Sequence, residues 1–381
     1  MLKSFILTLM LAATLVQAGA QSLYIPRDVG RAYKKGTREA DGRPGKNYWQ
    51  NFGRYNITLT AAPPDRNIKG VEQITYVNNS PDTLKVINMK LILNIHRAGA
   101  VRNGVARADY ITPGLQIDTF LIGGQKINWD NTRAAATNQG VRLPKPLMPH
   151  DSINLNIAWH YEISLESNRE GMIDPNTYYF AYFYPRVSVY DDYNGWDTLP
   201  FTDTQEFYND FNDYTLNVRV PKNFVVWSTG TLQNPDQVLQ PEFAGRLKAS
   251  MTADSTIHVA TADDMAKNRV TAQNDWNTWV WKADNISDMA CGISNHYVWD
   301  AASVVVDDAA HRRASMQAAF DDKSDDFHHS VQYGRDALSW FSHNWPGVPY
   351  PFPKMTAFQG FADMEYPMMV NDSHQNDLTF A

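Results

Sequence analysis

The sequence predicts a mainly β, antiparallel fold that gives way near residue 299 to a mixed α/β region, and three observations predict it. Eleven Trp, nineteen Tyr and seventeen Phe in 381 residues are a heavy aromatic load, of the kind extended strands carry when their rings pack against one another. Ile153-Asn-Leu-Asn-Ile-Ala-Trp-His-Tyr-Glu-Ile163 has an apolar or aromatic residue at every odd position and mostly polar or small residues between, the period of a strand with one buried face. From Ser324 to Trp345 the period becomes helical, with Phe327, Val331, Leu338 and Phe341 on one face. At 43% hydrophobic and 20% charged, the composition is globular and the chain is long enough for two domains with separate cores.

Taken in order, residues 1–20 read as a secretory signal peptide: Lys3 supplies the positive charge, Phe5 to Val16 the apolar core, and Ala18-Gly-Ala20 the small side chains for cleavage. That run is shorter than the roughly 20 residues that span a bilayer, and no later segment is apolar enough to do so. The expected location is therefore exported, whether periplasmic, cell-surface or extracellular, with no transmembrane segment after signal removal. Residues 21–54 read as an extended leader rich in Gly, Arg and Lys up to Lys46.

Residues 55–298 read as the β-domain. Tyr55 to Leu59 and Val71 to Val77 flank the turn-like Pro63-Pro-Asp-Arg-Asn67, a hairpin-like start to a sheet. Leu84 to Ile95 and Tyr214 to Val220 repeat the strand pattern, and Pro221 closes the latter because it cannot donate a ladder hydrogen bond. Residues 299–381 open with the apolar Ser303-Val-Val-Val306. The amphipathic helix follows, with Ser324 as N-cap, Asp325 and Asp326 complementing its dipole, and Pro346-Gly347 ending it.

Composition also removes functions. Cys291 is the only cysteine, so stability comes from packing rather than disulfides, and the residue reads as a small buried hydrophobe rather than a nucleophile. A net charge of -7 without a dense Lys/Arg patch argues against nucleic acid and anionic membranes as partners. No Gly-x-Ser-x-Gly elbow occurs. The acidic loop Asp191-Asp-Tyr-Asn-Gly195 resembles a calcium loop, but Tyr190 and Phe201 stand at its first and last ligand positions, leaving an Asn-Gly turn as the better reading. Asn56-Ile-Thr58, Asn78-Asn-Ser80 and Asn285-Ile-Ser287 match glycosylation sequons and locate no chemistry.

The strongest zinc signal, His-Glu-x-x-His on one helix face, is absent: none of the ten histidines precedes a Glu, and neither the His328-His329 pair nor His343 has a partner four residues away. These read as surface histidines. One stretch remains, Gln359-Gly-Phe-Ala-Asp-Met-Glu-Tyr-Pro-Met-Met-Val370, after the helix, the Tyr350-Pro-Phe-Pro353 turn and the strand-like Lys354 to Phe358. A strand edge there can add a peptide as a further strand, while a carboxylate at the end of the groove pairs with a free N-terminal ammonium.

The order of these features resembles the aminopeptidase N-like family of zinc metallopeptidases, the gluzincin aminopeptidases, in the form that carries Met-Glu-Tyr-Pro. The resemblance runs from about Tyr55 to Met369 through Gly70-Val-Glu-Gln-Ile-Thr-Tyr-Val77, Tyr184-Pro-Arg-Val-Ser-Val-Tyr-Asp191, Glu206-Phe-Tyr208, Val220-Pro-Lys-Asn-Phe224, Ser228-Thr-Gly-Thr-Leu232, Trp279-Val-Trp-Lys-Ala-Asp-Asn285 and Tyr297-Val-Trp-Asp300. It implies a saddle-like β-domain, then the incomplete start of a thermolysin-like catalytic domain. It also implies a peptide substrate with a free N-terminus, whose amine is bound by Glu365 while Gly360, Ala362, Asp363 and Met364 line the substrate strand. Asp363 departs from the small residue usual before Met. Tyr182 stands where many relatives place a Gln beside the amine.

Zinc is the cofactor the resemblance implies, yet its ligands are absent from this chain, which ends at Ala381 before the expected zinc helix. The sequence is accordingly read as the N-terminal portion of an exported zinc aminopeptidase, with no catalytic residue in this chain and no activity on its own. The alternatives are a non-catalytic peptide-binding module and a structural envelope β-domain.

Overall fold

A computed structural model describes residues 24–132, 136–165, 169–206, 208–361 and 363–374. The signal-peptide reading of residues 1–20 lies outside the described residues. The chain divides into two compact units, the smaller made of residues up to 49 with 191–195, the larger of everything else. In the smaller unit the expected extended leader contains a helix, Arg27–Lys35. Asp28 in its first turn and Lys34 and Lys35 in its last complement the dipole, and Gly36, in the left-handed conformation, returns its N–H to the carbonyls of Ala32 and Tyr33. The Asp192 carboxylate accepts from the Arg38 Nη2 at 2.9 Å and the Thr37 hydroxyl at 2.5 Å. The acidic loop is thereby an internal tie.

The larger unit is built on an eight-stranded sheet. Phe52–Ala62 pairs antiparallel with Asp65–Val77, which pairs with Ser152–Glu162, itself followed outward by Gln116–Ile122 and Gln125–Lys126. On its other side Phe52–Ala62 runs parallel to Asn212–Pro221, which is flanked by Trp276–Ile286 and Thr231–Leu232. Alternation places Trp159, Trp279 and Trp281 inside. A four-stranded sheet (Val225–Ser228, Cys291–Ser294, Thr177–Phe180, Gly171–Asp174) shares this core, as do Leu84–Lys90 and its partners. Cys291 is fully buried, and burial pushes its thiol far above the usual range.

The sheet that carries the candidate site is mixed, with order Ile257–Ala260, Val298–Asp307, Arg312–Phe320, Lys354–Gly360, Met369–Ser373, Met364–Tyr366. Arg312–Phe320 and Lys354–Gly360 are parallel, so the chain must cross between them, and the helix makes that crossover. Within the larger unit a second apolar cluster of Val298, Phe320, Phe327, Val331 and Leu338 lies along this sheet, while Trp299, Ala319 and Phe358 belong to the first core; one strand, Ile257–Ala260, joins the sheet from earlier in the chain.

The helix differs in detail from its sequence pattern. A 3-10 turn, Asp325–His329, precedes the α-helix Ser330–His343. Ser324 makes no side-chain cap; instead Asp326 Oδ1 accepts from the Phe327 N–H at 2.9 Å. Phe341, expected on the core face, is 52% exposed, because the buried face narrows toward the C-terminal end. The helices Pro241–Ser250 and Ala262–Ala266 interrupt a stretch read as sheet; Pro241 opens the first, and a Thr261–Asp264 capping box starts the second.

Candidate functional site

Strand Lys354–Gly360 forms one side of the site, and the chain then turns back through Met364–Tyr366, a three-residue strand at the edge of the sheet. Its ladder runs on one side only, pairing Met364 with Asn371, Glu365 with Val370 and Tyr366 with Met369. Period-two alternation sends Met364 and Tyr366 inward and leaves Glu365 exposed on the opposite face. The outer edge pairs with no other strand among the described residues.

Each residue expected in the site has a definite place, except Ala362, which lies outside the described residues. Gly360 is required by packing: a Cβ there would overlap the Asn371 amide, which is buried and has no hydrogen-bond partner among the described residues. Asp363 is exposed and ties its loop to the neighbouring strand, its Oδ1 accepting from the Ser373 N–H at 3.2 Å and hydroxyl at 2.8 Å. Asp372 titrates at about 6, raised by burial and then by the nearby Asp363 charge. Tyr182 meets the Met364–Tyr366 strand from the buried side: its hydroxyl oxygen lies 3.0 Å from that of Tyr366, away from the face Glu365 presents.

Residues the sequence reading gave no role hold this edge. Tyr366 donates its hydroxyl to the Arg169 carbonyl at 2.8 Å, and Thr229 donates to the Pro367 carbonyl at 2.8 Å. Lys354 is buried, its Nζ donating to the Ser228 carbonyl at 2.6 Å and the Thr356 hydroxyl at 2.8 Å, and burial lowers it to about 7. Lys354 opens an apolar run directly after Pro353, the only sequence signal it offered. Between the helix and the sheet lies a groove of about 810 Å³ lined by Tyr333, Leu338, Phe341, Tyr350, Met355 and Val370, with Asp326, Asp363 and Asp372 among its walls.

A zinc ion does not fit the described residues. No three His, Cys, Asp or Glu side chains among them converge. His328 bonds the Asp322 carbonyl at 2.9 Å and His343 the Ser339 carbonyl at 2.7 Å, consistent with surface hydrogen bonding. No helix of the described residues is long and apolar enough to cross a membrane.

The arrangement is a β protein whose final mixed sheet ends in an open, acid-bearing edge. Its fold is similar to that of the matching part of M1 zinc metallopeptidases of known structure. A two-domain M1 zinc metallopeptidase mutant bound to L-tryptophan aligns with 88% of this chain and 63% of its own, at 14% identity and a TM-score of 0.50. An M1 zinc metallopeptidase mutant from Deinococcus radiodurans bound to a Tyr-Ser-Ala substrate aligns with 87% of this chain and 62% of its own, at 13% identity and a TM-score of 0.49. This chain spans 57–63% of the length of such structures. No family model matches the sequence, and no curated protein is significantly similar to it.

Proposed function

We propose that this chain is the N-terminal, amine-recognising portion of an exported zinc aminopeptidase that releases N-terminal residues from peptides. The observation that carries the reading is the exposed Glu365 in the middle of an open edge strand, within an M1-type fold. An extended peptide adds to the free edge through main-chain hydrogen bonds, and its terminal ammonium pairs with the Glu365 carboxylate. L-Tryptophan, bound by a protein of this fold, carries the same α-ammonium. Export rests on the Lys3, Phe5 to Val16 and Ala18-Gly-Ala20 pattern. Because the described residues do not fit zinc, they are assigned binding and positioning, and no hydrolytic step is derived from them.

Calorimetric titration with a short peptide and its N-acetylated twin tests the reading. The free amine should bind up to about fivefold more tightly, the worth of one exposed charge pair, and Glu365→Gln should abolish the difference. Equal affinity for the two peptides in the unaltered protein, or a preference that survives in Glu365→Gln, would remove Glu365 as the amine anchor.

A further inference from the structure

We infer that the Tyr182 hydroxyl, the Tyr366 hydroxyl and the Arg169 carbonyl form a hydrogen-bonded chain that positions Glu365, and that Tyr182 acts through this chain rather than by touching a bound amine. The inference rests on the reading of Glu365 as an amine anchor. A three-residue strand with a ladder on one side has little backbone pairing to fix it. What fixes it is the side chain next to Glu365. Tyr366 is buried among aromatic rings, its centroid 5.7 Å from both Tyr179 and Tyr182, and its hydroxyl reaches the Arg169 carbonyl.

Proton counting sets the direction of the chain. A phenol has one proton to give. Tyr366 gives its own to the Arg169 carbonyl at 2.8 Å, so the 3.0 Å contact between the two hydroxyls requires Tyr182 to donate to Tyr366. Arg169 is itself held, with Glu206 at 3.0 Å and Asp203 at 3.5 Å. Tyr182 also adopts a left-handed backbone (φ 60°), a conformation a bulky residue keeps only where its surroundings impose it. Tyr182 is only 3% exposed and its one hydroxyl proton goes to Tyr366, on the side of the strand away from Glu365.

Hydrogen exchange measured by mass spectrometry over residues 360–370, together with the two-peptide titration, tests the chain. Tyr182→Phe should speed exchange of the 364–366 amides about tenfold, the worth of one buried hydrogen bond, Tyr366→Phe should speed it at least as much because it removes both bonds, and the double variant should add little to Tyr366→Phe. Tyr179→Phe is the control: that hydroxyl has no hydrogen-bond partner among the described residues although its ring packs on Tyr366, so exchange should not change. Both tyrosine variants should also lose the free-amine preference while keeping their affinity for the acetylated peptide, a split that a general loss of stability does not produce. Unchanged exchange in the single variants overturns the inference. So does a Tyr182→Phe protein that loses amine preference with exchange intact, since Tyr182 would then touch the ligand. Absence of any preference in the unaltered protein defeats the Glu365 reading alone, and the exchange data still decide whether the chain holds the strand.

Discussion

The inner face of the eight-stranded sheet is closed, with Trp159, Trp279 and Trp281 at most 1% exposed, whereas the helix beside the six-stranded sheet leaves Tyr333 at 49% and Phe341 at 52%. Both regions show the periodicity of their secondary structure, two in the strands and helical in Ser330–His343. The difference teaches that periodicity identifies the face able to be buried, while the area facing it decides how much is covered. In the sheet, strands on both sides and a second sheet supply that area. Along the helix the sheet buries Val331 and Leu338, while the groove runs beside it and leaves Tyr333 and Phe341 open.

The largest expected effect lies in the closed region. Trp159 is buried directly over Gly70, where a Cβ would overlap its ring, and its indole N–H donates to the Phe183 carbonyl at 2.8 Å. Trp159→Ala removes the largest side chain, opens a cavity and leaves that carbonyl unpartnered. A loss of about 3–5 kcal/mol is expected in denaturant unfolding. A loss under about 1 kcal/mol would show the face to be far looser than its packing indicates.

The contrast also explains how much was legible beforehand. Ile153 to Ile163, Val71 to Val77 and Tyr214 to Val220 could be read as strands because each has one wet and one dry face, so its sequence records its environment. The parallel pairing of Phe52–Ala62 with Asn212–Pro221 could not be read, since nothing local distinguishes a parallel neighbour from an antiparallel one. In the site, Glu365 could be singled out from its motif. The Tyr182–Tyr366 contact spans 184 residues and leaves no local trace, so the sequence could not indicate it. The leader helix and Pro241–Ser250 were missed because neither carries an apolar stripe longer than a few residues; their signals were at their ends.

A second expected effect, of intermediate size, sits where the two regions meet. Lys354 begins the strand that floors the groove, yet its amine is buried against Ser228, Thr356 and the Trp281 ring, with no carboxylate beside it. Its folded value of about 7 lies below the unfolded value of about 10.4. Between these values the unfolded chain binds a proton that the folded chain does not, so stability rises with pH across that window and is flat below it. Relative to Lys354→Met, which cannot titrate, the unaltered protein should gain about 2–3 kcal/mol between pH 6.5 and pH 9. Parallel stability profiles for the two proteins would mean that the amine is solvated, and that the seam between the sheets is open to water.

The smallest expected change tests the open region itself. Phe341 was assigned to the core by its spacing from Phe327, Val331 and Leu338, but about half its surface meets solvent and it lines the groove. Exposed aromatic surface contributes little to folding, and Ser is close to Phe in helix propensity, so Phe341→Ser should alter unfolding free energy by no more than about 0.5 kcal/mol. The same substitution should lower binding of an apolar dye such as anilinonaphthalene sulfonate, because it removes aromatic surface from a groove that water already reaches. Leu338→Ser, one turn earlier and 8% exposed, is the matched comparison and should cost several times more. Equal losses at the two positions would put Phe341 back in the core its periodicity assigned, and the helix would then be as closed as the strands around Trp159.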